Sequence, residues 1–483
     1  MEYRITVLPE GRNVFAKAGT VLLDVLQDAG CLVDAPCGGQ GKCGKCTVSV
    51  DGIPVRACHY TVNSDVTVEL PKQEPLQILE QGAAPSVKSS GRGCAAAFDI
   101  GTTTVVCALL DAGGNALAVQ STANPQAVYG ADVVSRITAA VRGQGSAMTA
   151  LIRKAISELL DTCCAMAELD PAAIETVSVV GNPCMQQLFL GIPVDNLAAV
   201  PFAPVITEAK TVPAKEYLPL CPNARLLTVP DLGGFVGADT MGCIMASRLH
   251  EAKDTVLLVD IGTNGEMVLC HRGRMVACAT AAGPALEGAN ISCGMRAAAG
   301  AIDRVTQDGF HVIGGGKAKG ICGSGLIDAV AVMLEKGVLN RRGRVLTENH
   351  GYELADGVFL TQEDIRQVQL AKGAIAAGIE LMAAHLGIAL EEIDRCILAG
   401  AFGSYLDPDS ACRIGLLPEQ LRGRITAAGN LALEGAKLLT TDETQLALTQ
   451  QLTERVAYLN LASQPGFQRS FAQNMFFREA CHG

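Results

Sequence analysis

The sequence predicts a small α+β domain followed by a two-lobed α/β region. Residues 1–72 contain short runs in which polar and apolar side chains alternate, as they do in half-buried strands. From residue 95 onward, apolar strand patterns alternate with helical patterns, which favours α/β sheets. The tetrapeptide Asp-Ile-Gly-Thr occurs at 99–102 and again at 260–263, which indicates two related lobes.

Composition narrows the possible functions. The 483 residues are 49% hydrophobic and 18% charged, a globular composition with room for roughly three domains. The net charge of −11 and the absence of Trp argue against nucleic-acid binding. Because the sequence has no 18-residue apolar run and no signal-peptide layout, we expect a cytoplasmic protein with no membrane partner. Nineteen cysteines in such a protein favour metal ligation over disulfides.

The N-terminal unit has its own set of predicted elements. Segments 3–7, 47–50 and 66–70 are predicted strands, and Thr20 is the predicted N-cap of an amphipathic helix. Residues 73–94 are rich in Pro, Gln, Gly and Ser, which indicates an exposed linker. Beyond the linker, the helical candidates are 145–168, 237–249, 323–337 and 361–387.

Four cysteines in the N-terminal unit are candidate metal ligands. They follow the spacing C-x5-C-x2-C-x11-C and are Cys37, Cys43, Cys46 and Cys58. The glycines between them allow tight turns and bring backbone N–H groups close to sulfides, and four thiolates ligate a [2Fe–2S] cluster. A zinc site and buried structural cysteines are the alternatives. Zinc ribbons usually pair two C-x2-C hairpins, and this unit has one.

These cysteines give residues 1–72 a resemblance to plant-type [2Fe–2S] ferredoxin domains, whose α+β fold is β-grasp-like. The first gap is five residues, where the plant-type spacing has four, and the fourth cysteine comes early. The resemblance implies one-electron transfer at a low potential, near about −400 mV. It implies no bond chemistry in this unit.

Each Asp-Ile-Gly-Thr segment follows a predicted strand and suits phosphate binding. Asp99 and Asp260 are candidates for holding a hydrated Mg²⁺, while the following glycines, threonines and Asn offer N–H and hydroxyl donors. A third predicted strand runs into glycines at 400–404, which suits close packing of an adenosine. The sequence contains no GxxxxGK[ST] loop. The candidate nucleotide ligands are Gly101, Thr102, Thr103, Thr104, Gly262, Thr263, Asn264, Gly400, Gly403 and Ser404.

In this order, the three segments resemble the phosphate-1, phosphate-2 and adenosine motifs of the acetate kinase, sugar kinase, Hsp70 and actin superfamily. The resemblance implies two lobes built on ribonuclease H-like sheets, with ATP in the cleft between them. The first lobe would span 95–253. The second would span 254–483 and include the C-terminal tail.

Further residues are candidates for supporting roles. Asp239 would orient the attacking water or interact with a helix N-terminus, and Glu287 would reach the metal or water or cap a helix. Gly323 and Ser324 begin a predicted helix whose N–H groups suit a phosphate. The superfamily resemblance places the long helix that carries Lys372 near the nucleotide, but a solvated surface lysine is the expected outcome.

The whole chain resembles the ATP-dependent reductive activators of corrinoid proteins, notably in segments 283–295 and 320–328. The resemblance implies that ATP turnover drives one electron from the cluster to Co(II) of a corrinoid iron–sulfur protein or a methyltransferase corrinoid protein. Co(I) is thereby regenerated for methyl transfer, with electrons from an external low-potential donor. A homodimer is expected, as is the absence of a middle domain found in some relatives. Ser292 is a candidate oxygen ligand facing the cobalt, or a helix-capping serine.

Three other functions fit parts of the sequence. One is an ATP-driven electron donor to another low-potential acceptor such as a 2-hydroxyacyl-CoA dehydratase, for which Cys278, Cys293 and Cys322 are available. The fused ferredoxin-like unit argues against it. The second is a small-molecule kinase with a regulatory ferredoxin domain, although no residues identify its substrate pocket. The third is an ATP-gated binding protein for a redox partner.

Overall fold

The N-terminal domain is a mixed five-stranded sheet with one helix. A computed structural model describes residues 2–31, 33, 35, 39, 41, 44–71, 93–348 and 351–478. The strands follow the order β2-β1-β5-β3-β4, with β1 parallel to β5, and the helix buries its apolar face against the sheet. The elements are β1 (Glu2–Leu8), β2 (Arg12–Lys17), α1 (Leu22–Asp28), β3 (Thr47–Val50), β4 (Ile53–Arg56) and β5 (Val66–Glu69).

The predicted N-cap of α1 is wrong. The cap residue is Val21, which has an extended backbone and makes no side-chain capping bond. Val21 pairs with Thr61 in a β-bridge, and the N–H of Leu22 donates to the Tyr60 carbonyl at 2.8 Å. A tertiary partner therefore satisfies the first helical donor, and the Thr20 hydroxyl is not needed for it.

The first ATPase-like lobe is built on a six-stranded sheet with the order β10-β11-β9-β6-β7-β8. Its strands are β6 (Cys94–Ile100), β7 (Thr104–Leu110), β8 (Ala116–Ala123), β9 (Ile174–Gly181), β10 (Lys210–Pro213) and β11 (Arg225–Thr228). Its helices are α2 (Val133–Ala139), α3 (Gly145–Met166), α4 (Pro183–Leu190) and α5 (Ala238–Ala246).

The second lobe has a main sheet with the order β21-β20-β12-β13-β14-β22 and two smaller sheets. Its strands are β12 (Val256–Ile261), β13 (Gly265–His271), β14 (Arg274–Thr280), β15 (Ala301–Val305), β16 (Phe310–Val312), β17 (Gly320–Ile321), β18 (Gly351–Ala355), β19 (Val358–Thr361), β20 (Arg395–Ala399), β21 (Ile425–Ala427) and β22 (Val456–Tyr458). Its helices are α6 (Gly323–Glu335), α7 (Gln362–Leu386), α8 (Gly400–Tyr405), α9 (Pro408–Ile414), α10 (Leu431–Thr441), α11 (Glu443–Arg455) and α12 (Phe467–Asn474).

The two main sheets share one topology. In the first lobe, β6, β7 and β8 form an antiparallel meander, and β9 and then β11 add in parallel on the other side of β6. In the second lobe, β12, β13 and β14 form the same meander, and β20 and then β21 add in parallel beside β12. The predicted two-lobed α/β fold is confirmed, and each Asp-Ile-Gly-Thr segment lies at the equivalent hairpin.

The lobes meet where α5 and α10 cross. Gly435 of α10 lies directly on Gly242 of α5, and a Cβ built on Gly435 would lie 2.2 Å from the Gly242 Cα. A Cβ built on Gly242 would lie 2.9 Å from the Ala432 carbonyl oxygen. Since both obstacles are backbone atoms, the crossing depends on glycine at these two positions.

Gly435→Ala is expected to lower the Tm, even though alanine is the better helix former by about 1 kcal/mol. The added methyl group meets backbone, so the helices must separate, and such overpacking costs about 1–3 kcal/mol. Calorimetric unfolding measures the change. Gly309→Ala is the matched control, because a Cβ at Gly309 meets nothing within 4 Å. A Gly435→Ala protein with an unchanged Tm would contradict the close crossing.

Lys372, which was expected at the surface, is buried within the second lobe. Its side chain lies on α7, and Lys372 is 1% exposed. The ammonium donates to the carbonyls of Asn474 and Phe476 at 2.5 and 2.9 Å. Burial lowers the pKa of Lys372 to about 7. The surface prediction is wrong because the C-terminal segment folds back over α7 and covers this side chain.

Lys372→Ala is expected to lower the free energy of unfolding by about 2–4 kcal/mol, because it leaves a cavity and removes the donor to the Asn474 and Phe476 carbonyls. Lys372→Met keeps the aliphatic stem and should lose less. Denaturant titration of the three proteins measures the difference, with exposed Lys317→Ala as the control. Losses below about 0.5 kcal/mol, typical of surface sites, would contradict the buried position.

The sequence analysis predicted no membrane partner because the sequence lacks an apolar run of 18 residues. In the described part of the chain, none of the helices combines the length and the apolarity needed to cross a membrane.

Candidate functional site

A cleft between the two main sheets gathers most of the predicted site residues. It is lined by Asp99, Gly101, Thr102, Thr103, Thr104, Asp239, Asp260, Gly262, Thr263, Asn264, Glu287, Gly323, Ser324 and Gly400. The shared topology explains the convergence, because β6 and β12 end at the same cleft and each delivers its aspartate and the following turn.

Three half-buried aspartates concentrate negative charge in this cleft. Burial raises the pKa of Asp99 to about 7, opposed by a hydrogen bond from Asn430, and the neighbouring Asp239 and Asp260 raise it further. Burial likewise raises the pKa of Asp239 to about 7 and that of Asp260 to about 6. A bound cation would favour the ionised carboxylates and reverse these shifts.

The carboxylates suit a hydrated cation better than a cage of protein ligands. Among the described residues, no three or more His, Cys, Asp or Glu side chains are arranged to hold a metal ion. Mg²⁺ in phosphate-transfer sites usually keeps several waters and is bound through one or two carboxylates and the substrate phosphates. Asp99 and Asp260 at the ends of two strands fit that mode of binding.

Glu287 joins the two phosphate-type loops across the cleft. Its carboxylate accepts hydrogen bonds from the hydroxyls of Thr103 at 2.7 Å and Thr263 at 2.8 Å. The two hydroxyl oxygens are themselves 3.2 Å apart. Glu287 ends a short 3₁₀ helix, and Gly288 follows in the left-handed region at φ 79°. In this arrangement Glu287 ties the two hairpins together.

The adenosine-type segment contributes less than the sequence predicted. Gly400 has φ 82°, and a Cβ built on it would lie 2.4 Å from Asp260 Oδ1, so glycine is required there. Gly403 and Ser404 do not line the cleft, and the Ser404 hydroxyl instead donates to the Gly400 carbonyl at 3.0 Å. The side chains of Phe402 and Tyr405 line the cleft in their place.

Sequence reasoning missed two asparagines in the cleft. The amide of Asn430 donates to Asp99 at 2.9 Å, and that of Asn182 donates to the Thr102 hydroxyl at 3.1 Å. Both residues also cap helices, since Asn430 accepts from the Leu433 N–H and Asn182 from that of Met185. The available signal was a repeated Gly-Asn dipeptide directly before a helix, at 181–182 and 429–430.

Two charged residues of the cleft were also missed. Glu266 is buried on β13, and burial raises its pKa well above the ordinary value. Arg296 also lines the cleft. No spacing pattern in the sequence marked either residue.

Ser292 lies away from the cleft lining. Its N–H and hydroxyl both bind the Asp364 carboxylate, at 2.7 and 3.1 Å. Asp364 is also part of the capping box of α7 with Thr361. The structure therefore gives Ser292 a hydrogen-bonding role at the start of α7, and its contact with cobalt stays a hypothesis.

Two of the four candidate cluster ligands lie within the described residues. The Cys46 and Cys58 sulfurs are 3.3 Å apart, well beyond the roughly 2.05 Å of a disulfide bond. Cys37 and Cys43 lie outside the described residues. In the same loop, a Cβ built on Gly41, at φ 75°, would lie 2.3 Å from a His59 ring nitrogen. A pair of adjacent cysteine sulfurs beside a tight glycine turn fits a cluster-binding loop.

Two family profiles match the chain. The profile described as "C-terminal domain of RACo the ASKHA domain" matches residues 254–482, and the profile described as "RACo middle region" matches residues 94–252. The chain belongs to the RACo family. The RACo middle region coincides with the segment assigned to the first lobe.

Individual relatives agree with this assignment. Over 416 residues the chain is 33% identical to the corrinoid activation enzyme RamQ of Eubacterium limosum, covering 79% of this chain and 70% of RamQ. It is 27% identical to a Co(II) methylated amine-specific corrinoid protein reductase of Methanosarcina barkeri, covering 63% of each protein. The solved structure of a reductive activator for corrinoid, iron–sulfur protein superposes with a TM-score of 0.72 at 27% identity, covering 98% of both chains.

Proposed function

We propose that this chain is an ATP-dependent reductive activator of a corrinoid protein, passing one electron to Co(II) and regenerating Co(I). The observation that carries the proposal is that one chain combines a two-lobed, carboxylate-lined cleft with a domain that presents paired thiols. Its RACo-family relatives support the corrinoid partner, because their names specify corrinoid activation and Co(II) corrinoid protein reduction.

In the proposed nucleotide site, different residues of this chain have different roles. Asp99 and Asp260 hold a hydrated Mg²⁺, and the donors of the two Asp-Ile-Gly-Thr loops bind phosphate oxygens. Asp239 orients the attacking water. Glu287 keeps the loops of the two lobes in register through Thr103 and Thr263.

In the proposed electron-transfer site, Cys37, Cys43, Cys46 and Cys58 hold a [2Fe–2S] cluster. Such a cluster supplies one-electron transfer. For each electron that reaches Co(II), an external low-potential donor gives up one electron, so the reaction balances. If the acceptor lies about 100 mV below the donor, the transfer costs about 2.3 kcal/mol per electron, which nucleotide-driven conformational change can supply. We also propose that the chain acts as a homodimer.

The dehydratase-activator alternative is not favoured by the structure. That function needs cysteines of the ATPase fold to ligate a cluster between subunits. Of the three candidate cysteines, Cys278 and Cys322 are 0% and 3% exposed inside the second lobe, which leaves the partly exposed Cys293 as the one candidate at a surface. No observation in the described residues identifies a small-molecule substrate for a kinase.

The proposal is tested by anaerobic visible spectroscopy of a Co(II) corrinoid protein mixed with the full chain and a low-potential reductant. We expect the Co(I) band to appear with ATP and to be absent without nucleotide. Co(I) formation at the same rate without nucleotide would contradict ATP dependence. No Co(I) from several corrinoid proteins, with an intact cluster and active ATP hydrolysis, would contradict the corrinoid partner.

A further inference from the structure

The N-terminal domain rests directly on the first lobe. The side-chain amide of Gln27, at the end of α1, donates to the carbonyl of Val128. Three residues later, Gly30 faces Leu151 of α3, where a Cβ built on Gly30 would lie 3.8 Å from a Leu151 methyl carbon. One polar and one apolar contact therefore join the domain with the candidate cluster loop to the lobe with the first phosphate-type loop.

The segment that receives Gln27 is hydrogen-bonded to the phosphate-type loop. Residues Pro125–Tyr129 form a short 3₁₀ helix capped by Asn124. The Asn124 amide donates to the Gly101 carbonyl at 2.8 Å, and the Asn124 N–H donates to the Thr103 carbonyl at 2.9 Å. Asn124, which caps residues 125–129, is thus fixed to the backbone that follows Asp99.

Arg136 fixes the other end of the same segment. It lies on α2 and is 0% exposed, so its guanidinium is fully buried. One guanidinium nitrogen donates to the Gly130 carbonyl at 2.9 Å, and another donates to the Thr102 carbonyl at 2.5 Å. A third contact is to the Met185 sulfur at 3.2 Å. The rigid fork of arginine suits two carbonyls held in fixed positions, which the single ammonium of lysine does not match.

We infer that residues 124–136 couple nucleotide binding at the 101–104 loop to docking of the N-terminal domain, with Asn124 and Arg136 as positioning residues. The inference rests on the proposed function, since it requires phosphates at that loop. A nucleotide that orders the 101–104 loop also orders residues 124–136, which are hydrogen-bonded to it. Less conformational entropy is then lost when the N-terminal domain docks, so the nucleotide strengthens docking. By linkage, docking strengthens nucleotide binding by the same factor.

Coupling between nucleotide binding and docking would control the timing of electron transfer. The N-terminal domain is held on the first lobe while nucleotide is bound, and its hold weakens when nucleotide leaves. Nucleotide turnover would then set how long the cluster domain stays in one position relative to the ATPase lobes. The coupling is measured as the effect of each binding event on the other.

Hydrogen–deuterium exchange of the cluster-loaded full chain provides that test. A non-hydrolysable ATP analogue should slow exchange in α1 and in residues 125–129 of the wild type. In Gln27→Ala, the α1 protection should be lost and the Kd for the analogue should rise about 5-fold or more, the lower range of typical coupling. Asp24→Ala, an exposed position one turn earlier on α1, is the matched control and should behave like the wild type.

Variants of the positioning residues separate coupling from folding. Arg136→Lys keeps the charge and Asn124→Ser keeps a capping oxygen, so each should bind the analogue without protecting α1. If Arg136→Lys does not fold, Asn124→Ser carries the same test. Unchanged α1 exchange in the wild type with analogue bound would overturn the coupling and leave the proposed function standing. A wild type that binds no nucleotide would overturn both.

Discussion

A Cys46→Ser, Cys58→Ser variant is expected to lose its iron and its visible cluster absorption and to form Co(I) no faster than a mixture without the protein. The two sulfurs lie 3.3 Å apart beside the glycine loop, so both would ligate the same cluster. Removing two of four thiolates eliminates half of the ligand set that a [2Fe–2S] cluster needs. ATP hydrolysis should remain, because the nucleotide cleft lies in the other two sheets.

The control for this variant is Cys31→Ser. Cys31 is a buried cysteine of the same domain, 8% exposed, and the sequence does not place it among the ligands. Iron content, visible absorption and Co(I) formation are measured on all three proteins. A double variant that retained a full complement of iron would show that Cys46 and Cys58 are not cluster ligands. A cluster-free variant that still formed Co(I) at the wild-type rate would show that electrons take another route.

Asp99→Asn is expected to lower the kcat of ATP hydrolysis by about 10²- to 10³-fold, the size found when one preorganised charge-stabilising group is removed. The amide keeps the shape of the side chain and removes the negative charge that would hold Mg²⁺. Asp260→Asn should have a similar effect, because β12 places it in the second lobe as β6 places Asp99 in the first. The cluster should remain loaded in both variants, while ATP-dependent Co(I) formation falls with the ATPase rate.

Asp254→Asn is the matched control for charge loss. It lies two residues before β12 and pairs with Arg395 at the surface, with a shortest N–O distance of 2.6 Å. Such pairs contribute little to stability, and this one lies outside the cleft. Steady-state hydrolysis at several Mg²⁺ concentrations separates metal binding from catalysis. Wild-type kcat in both cleft variants would contradict the assignment of Asp99 and Asp260 as the metal-holding carboxylates.

The sequence predicted the features that depend on local pattern. The strands ending in Asp99 and Asp260 were visible because each is a short apolar run that stops at a glycine turn, and duplication made the pair recognisable. The same holds for α3 and α7, whose 22 and 25 residues have a clear helical period. The cleft between the lobes was implied by the resemblance of these segments to the phosphate motifs of the acetate kinase, sugar kinase, Hsp70 and actin superfamily, and in the structure equivalent topology brings the two strand ends to it.

Features that depend on distant partners were not predictable. Asn430 reaches Asp99 across 331 positions of sequence, and the sequence alone marks it only as a helix cap. Lys372 is buried by a segment about 100 residues further along the chain. Thr20 was predicted to cap α1, but the Tyr60 carbonyl accepts from the first helical N–H instead. Ser404 was placed in the cleft from its neighbours, but its hydroxyl turns back onto its own helix.

The most direct test of the central claim is a single-turnover electron count. The full chain is reduced, freed of excess reductant under anaerobic conditions and mixed with a Co(II) corrinoid protein. Cluster oxidation and Co(I) formation are then followed together, with and without ATP. We predict that, with ATP, one Co(I) appears for each cluster oxidised and at the same rate, and that neither change occurs without it. Cluster oxidation without Co(I), or Co(I) formation while the cluster stays reduced, would contradict transfer of the electron through this domain.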